Sequence, residues 1–139
     1  MLPGYEVLDH TTDVELKVHA RTWAELLSEA GHALSARLWA GIRTAERNPG
    51  TWHQVQLRAP DRAGLLVAWL NELLFEAQAG WWVPVEFIVD EASNRHLRAR
   101  VRCVTVDDPP PPIHAAQPYG VHVMPAAGGG LEATVVLDI

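Results

Sequence analysis

The stretch Asp61-Arg62-Ala63-Gly64-Leu65-Leu66-Val67-Ala68-Trp69-Leu70-Asn71-Glu72-Leu73-Leu74-Phe75-Glu76-Ala77-Gln78-Ala79-Gly80 decides the fold. Leu65, Leu66, Trp69, Leu70, Leu73, Leu74 and Ala77 recur three and four residues apart, the period of one helix face. Asp61, directly after Pro60, has the side chain of an N-cap, an oxygen that satisfies an otherwise orphaned amide. Gly80 ends the run. So wide an apolar stripe belongs to a helix lying on a sheet, and its tryptophan and leucines are core residues before they are a cofactor box. The flanking sequence must supply the sheet.

Upstream, Trp52–Ala59 reads as a strand and Arg43–Gly50 as a polar turn. Before them, Thr22-Trp23-Ala24-Glu25 is a capping box, in which threonine and glutamate satisfy each other's free amides. Trp23, Leu26, Leu27, Ala30, Ala33, Leu34 and Leu38 follow at helical spacing, giving a first helix of roughly four or five turns. His32 falls on its polar flank, and Ser28 and Ser35 on polar positions. Tyr5–Asp9 and Asp13–Ala20 read as strands. In the second, Val14, Leu16, Val18 and Ala20 alternate with Glu15, Lys17 and His19, so His19 is expected to be exposed.

Downstream, Val83–Asp90 and His96–Val106 alternate cleanly and are joined by a hairpin turn at Glu91–Arg95. The four prolines Pro109–Pro112 form a stiff, extended connector that neither donates to a ladder nor propagates a helix. Ile113–Met124 is an edge or bulged strand, interrupted by Pro118 and Gly120. A glycine turn at Gly128–Gly130 leads into the last strand, Leu131–Ile139. The order β-β-α-β-α-β-β-β-β predicts an α+β fold: two amphipathic helices packed on a largely antiparallel, roughly seven-stranded sheet system. A chain of 139 residues suits a single domain, 1–139.

Composition narrows the function classes. A hydrophobic fraction of 48% is enough to offset the entropy of ordering a backbone. No apolar stretch approaches the roughly 18–20 residues of a membrane span. The first residues lack the basic start and apolar run of a signal peptide, so a soluble cytoplasmic protein is expected. The lone cysteine, Cys103, falls on the apolar side of the Leu97, Ala99, Val101 alternation and reads as a buried strand residue. The formal net charge is −6, from ten arginines and one lysine against 17 acids. Arg98, Arg100 and Arg102 share a strand face that reads as solvated. Binding to phosphates is driven by a basic surface, so tight direct binding of nucleic acid is not expected.

The common catalytic signatures are absent: no phosphate-binding loop, no Gly-x-Ser-x-Gly elbow, no His-Glu-x-x-His and no Cys-x-x-Cys. Two acids stand out instead. Asp13 follows His10-Thr11-Thr12 at the start of a strand, where aspartate is unfavourable for pairing. Asp138 follows the apolar run Val135-Val136-Leu137, and Ile139 adds an α-carboxylate. If the first and last strands are neighbours, these carboxylates crowd together, and a hard divalent cation such as calcium or magnesium would relieve their repulsion. The plain alternative is that Asp13 ends a turn and Asp138 is a solvated strand-end charge.

Tyr5-Glu6-Val7-Leu8-Asp9-His10-Thr11-Thr12-Asp13 resembles the opening of the archease family, a tyrosine and an aspartate leading into His-Thr-x-Asp. Thr22-Trp23-Ala24-Glu25-Leu26-Leu27 is similar to that family's first helix, and Trp69-Leu70-Asn71-Glu72-Leu73-Leu74 to its second. Val135-Val136-Leu137-Asp138-Ile139 resembles its hydrophobic-Asp-Ile end. The resemblance implies a calcium-type ion, with magnesium or manganese as alternatives, held by Asp13, Asp138 and the terminal group of Ile139. It also implies an accessory protein of the RtcB-type RNA-splicing ligase rather than an enzyme, promoting guanylylation and repeated turnover. His10 matches the motif as an orienting or capping residue. One region departs from the pattern: where the family carries a lysine in Lys-Ala-Val-Thr-Tyr-His, this chain reads Ile113-His114-Ala115-Ala116-Gln117-Pro118-Tyr119, so His114 takes the lysine position. Two other readings stay open. One is a metal-dependent hydrolase using the same carboxylates. The other is a divergent metal-binding interaction module without ligase activation. Tyr119 and His122 read as packing residues.

Overall fold

The structure, a computed structural model, describes residues 2–40 and 49–139. The polar turn expected at Arg43–Gly50 lies outside them except for Pro49 and Gly50, as does the expected packing of the Tyr119 side chain. The elements are β1 (Gly4–Asp9), β2 (Asp13–Ala20), α1 (Trp23–Trp39), β3 (Thr51–Arg58), α2 (Arg62–Gly80), β4 (Trp82–Ala92) and β5 (His96–Thr105). After the proline connector come β6 (Ala115–Ala116), a 3-10 turn (Pro118–Gly120), β7 (His122–Pro125) and β8 (Leu131–Asp138).

The strands form two antiparallel sheets, one five-stranded in the order β1-β2-β8-β6 with β7 also on β8, the other three-stranded in the order β3-β5-β4. The expected α+β architecture is present, with eight strands among the described residues where about seven were anticipated. Pro118 and Gly120 cut Ile113–Met124 into two short strands that share the free edge of β8. The alternation seen in the sequence is the burial pattern. Val14, Leu16, Val18, Ala133, Val135 and Leu137 line the inner face of the larger sheet, and Leu97, Ala99, Val101 and Cys103 that of the smaller.

The helices join these faces into one contiguous apolar cluster. Helix α1 packs on β2 of one sheet and β4 of the other. Gly31 permits the second contact: a Cβ there would lie 2.8 Å from the Phe87 ring. Trp69 is fully buried and its indole N–H donates to the Leu27 carbonyl at 2.8 Å, tying α2 to α1. Thr22 caps α1 by accepting from the Glu25 amide at 3.2 Å, and Asp61 caps α2 by accepting from the Gly64 amide at 2.7 Å.

Two local expectations are corrected. Ser35 is buried rather than polar-faced, and its hydroxyl donates to the Pro84 carbonyl where β4 bulges. Proline has no N–H to give the ladder, and on this edge strand its carbonyl accepts from both the Ser35 hydroxyl and the Trp39 indole of α1. His32 is half-buried, edge-on to Phe87 at 4.9 Å between centroids, rather than freely solvated. Gly80 ends α2 as expected, and the residue after it, Trp81, takes the left-handed conformation, with φ of 54°. Among the described residues, no helix is long and apolar enough to cross a membrane.

Candidate functional site

Strand β2 begins where the β1–β2 turn closes, with the His10 amide donating to the Asp13 carbonyl at 2.9 Å. Strand β8 lies antiparallel to β2 in a register that sets Asp13 directly opposite Asp138. Residues paired in this way project to the same face. That face is the outer one, because Val14 and Leu137, the next pair along, are fully buried. Both aspartates are half-buried. Ile139 continues past β8, its amide donating to the Thr12 carbonyl at 3.4 Å, so residues 12, 13, 138 and 139 meet at one corner of the sheet.

On the other side of β8, the His114 amide donates to the Asp138 carbonyl at 2.7 Å, and Ala115 pairs with Asp138. The His114 side chain lines a groove of about 310 Å3 against α2, with Asn71, Phe75 and Gln78. His114 thus reaches Asp138 through its backbone. His10 is exposed at the turn. Helix α2 holds the connector in place: Gln78 donates to the carbonyls of Pro111 and Ile113, and the Asn71 side-chain oxygen accepts from the Ala116 amide at 2.7 Å.

Gln117, whose amide donates to the Asp138 carboxylate, was missed by sequence reasoning. The available signal was its place in the segment that departs from the archease pattern, but nothing local announces a contact with a residue 21 positions away. Neither Asp13 nor Asp138 forms an ion pair with a basic side chain among the described residues. Like charges directly opposite each other on a sheet repel. The carboxylates of the smaller sheet differ: Glu86, Asp90 and Glu91 pair with Arg102, Arg100 and Arg98, which accounts for the solvated arginine face. The Arg100 guanidinium hydrogen-bonds Asp90 and holds its carboxyl below the usual carboxylate range.

The donor chemistry at Asp13 and Asp138 fits a hard divalent cation, since both side chains offer only oxygen. Among the described residues, no three His, Cys, Asp or Glu side chains gather around one point, so these two carboxylates would need further oxygens from nearby groups. Cys103 takes no part: it is buried in β5, and burial, reinforced by the charge of Glu76, pushes its thiol up to about 12.

A model of the archease protein family (MTH1598/TM1083) matches residues 5–139. The chain belongs to the archease family. It is 35% identical over 86 residues to a protein archease of Methanosarcina barkeri (strain Fusaro), a match covering 62% of this chain and 57% of that relative's length. Its fold is that of protein 1598 from Methanobacterium thermoautotrophicum, with a TM-score of 0.72 at 21% identity over 98% of this chain and 99% of the other. It is also that of a Thermotoga maritima archease described as a possible chaperone, with a TM-score of 0.65 at 17% identity over 96% of each chain. The resemblance read from the opening, the two helices and the Asp-Ile end is therefore a family membership, and the archease fold is what brings those separated motifs together.

Proposed function

We propose that this archease is an accessory protein of an RtcB-type RNA ligase, promoting its guanylylation and repeated turnover in tRNA splicing or RNA repair. In this reading it is a protein cofactor and not itself an enzyme. A divalent cation, calcium before magnesium or manganese, is held by Asp13, Asp138 and the Ile139 carboxylate. The observation that carries the reading is the direct pairing of Asp13 with Asp138, with no ion pair to a basic side chain among the described residues. A bound ion would balance the two carboxylates and present a positive centre to a partner. The chain's own residues set the geometry: the His114 amide fixes the Asp138 backbone, and Gln117 orients its carboxylate.

The test is single-turnover guanylylation of the ligase from the same organism, with and without the chain. Asp138→Ala should abolish the stimulation. His114→Lys, restoring the family's lysine at that position, should preserve or raise it. Full stimulation by Asp138→Ala would refute the assignment. Failure of the wild-type chain to stimulate, with an ion still bound, would favour the interaction module that keeps the metal and lacks ligase activation.

A further inference from the structure

At the far end of β2 from Asp13, about 23 Å along the strand at 3.3 Å per residue, arginines from three elements converge. Arg58 closes β3, Arg62 opens α2, and Arg95 occupies the β4–β5 turn, with His96 paired across from Arg58. Two adjoining grooves, of about 630 and 470 Å3, both have Arg95 in their walls; Arg58 lines the first and Arg62 the second. Among the described residues, none of these three arginines forms an ion pair. The carboxylates in the grooves are engaged elsewhere: Glu91 pairs with Arg98 at 3.4 Å, and Asp61 caps α2. Past the Asp61 cap, the first turn of α2 carries no further acid. On a chain of net charge −6, such a concentration of unbalanced cations is local and not a property of the whole surface.

We infer that this corner is a docking surface for the phosphodiester backbone of a nucleic acid, and, resting on the ligase reading above, for RNA. Arginine forks match phosphate oxygens two bonds at a time. Arg62 is held ready, its guanidinium 5.2 Å over the Trp23 ring and bonded to Asn94 at 2.7 Å. A protein partner would require a large apolar centre to the interface, and among the described residues none of the exposed large hydrophobic side chains, such as Trp52, Phe75, Trp81 and Met124, lines these grooves. Trp23 is buried beneath Arg62 and offers no face for base stacking, so the surface holds the backbone without reading bases. Contact through three charges is weak and salt-dependent, consistent with the expectation that this acidic chain does not bind nucleic acid tightly.

The test is fluorescence anisotropy of a labelled single-stranded RNA of about twelve nucleotides with the full chain and no ligase. Three neutralised phosphates give a slope of about −2 in log affinity against log salt, so affinity should fall roughly 20-fold between about 50 and 200 mM. Arg58→Gln with Arg95→Gln should reduce the slope to about −0.7. Both side chains are exposed, and an unchanged melting curve will show that the fold survives. Arg37→Gln, which removes a charge paired with Asp9 elsewhere, should leave the slope unaltered. Absence of binding at low salt would overturn the proposal, as would equal loss in Arg37→Gln. Polyglutamate binding as tightly as RNA, with the same slope, would assign the corner to acidic peptides instead. None of these failures touches the ligase assay with Asp138→Ala.

Discussion

Asp138 has two partners that a sequence pattern does not display, Asp13 across the strand pair and Gln117 from the connector. Repulsion between directly opposed like charges amounts to about 0.2–1 kcal/mol. Metal-free Asp138→Asn should therefore be more stable than the parent by about that much, while losing any stabilisation by calcium. Urea unfolding in chelator and in calcium measures both effects; an Asn variant that is less stable without metal would argue against an uncompensated pair. Cys103 gives a second prediction. Its folded value of about 12 lies above the ordinary 9.0, so the native state retains the proton more strongly than the unfolded chain. The associated stability is complete below pH 9.0 and is lost as pH rises toward 12. A thiol reagent at mildly alkaline pH should label Cys103 only after denaturant is added.

Elements explain why some residues read correctly and others did not. The caps at Thr22 and Asp61 were legible because a cap is a contact between residues three apart. Ser35 was not, since its partner, Pro84, lies 49 residues away on an edge strand whose bulge no local rule locates. The same long-range contact makes Gly31 necessary, because the Phe87 ring occupies the space a side chain would fill. Gly31→Ala would ordinarily favour a helix interior by about 1 kcal/mol. Here it should instead destabilise by about 1–3 kcal/mol, as overpacked cores do. Thermal unfolding of the variant checks the sign, and a rise in melting temperature would contradict the packing of α1 on β4.

At the scale of the whole molecule, the larger sheet separates an anionic corner at Asp13 and Asp138 from a cationic one near Arg62 and Arg95. A ligand that binds only the folded state stabilises it by about 2.7 kcal/mol at a hundredfold excess over its Kd. For a chain of this length, that is a rise in melting temperature on the order of 5–10 °C. Calcium should produce such a rise, and Asp13→Ala should remove it. Appending two residues after Ile139, which moves the terminal carboxylate away, should also weaken it. A calcium response untouched by all three changes, including Asp138→Asn, would place the ion elsewhere.

The sequence by itself determined the two helices, their caps, the buried faces of the strands and the family, because periodicity and capping are relations between near neighbours along the chain. It also singled out Asp13 and Asp138 as acids out of place, with the α-carboxylate of Ile139 beside them. Only the tertiary structure decided that β2 and β8 are adjacent and in the register that opposes Asp13 to Asp138. It alone decided that Gln117 reaches Asp138 and that Arg58, Arg62 and Arg95 converge. Strand register follows from which apolar residues share the core, a property of all the packed elements together, and a shift of one residue would have turned the two carboxylates to opposite faces.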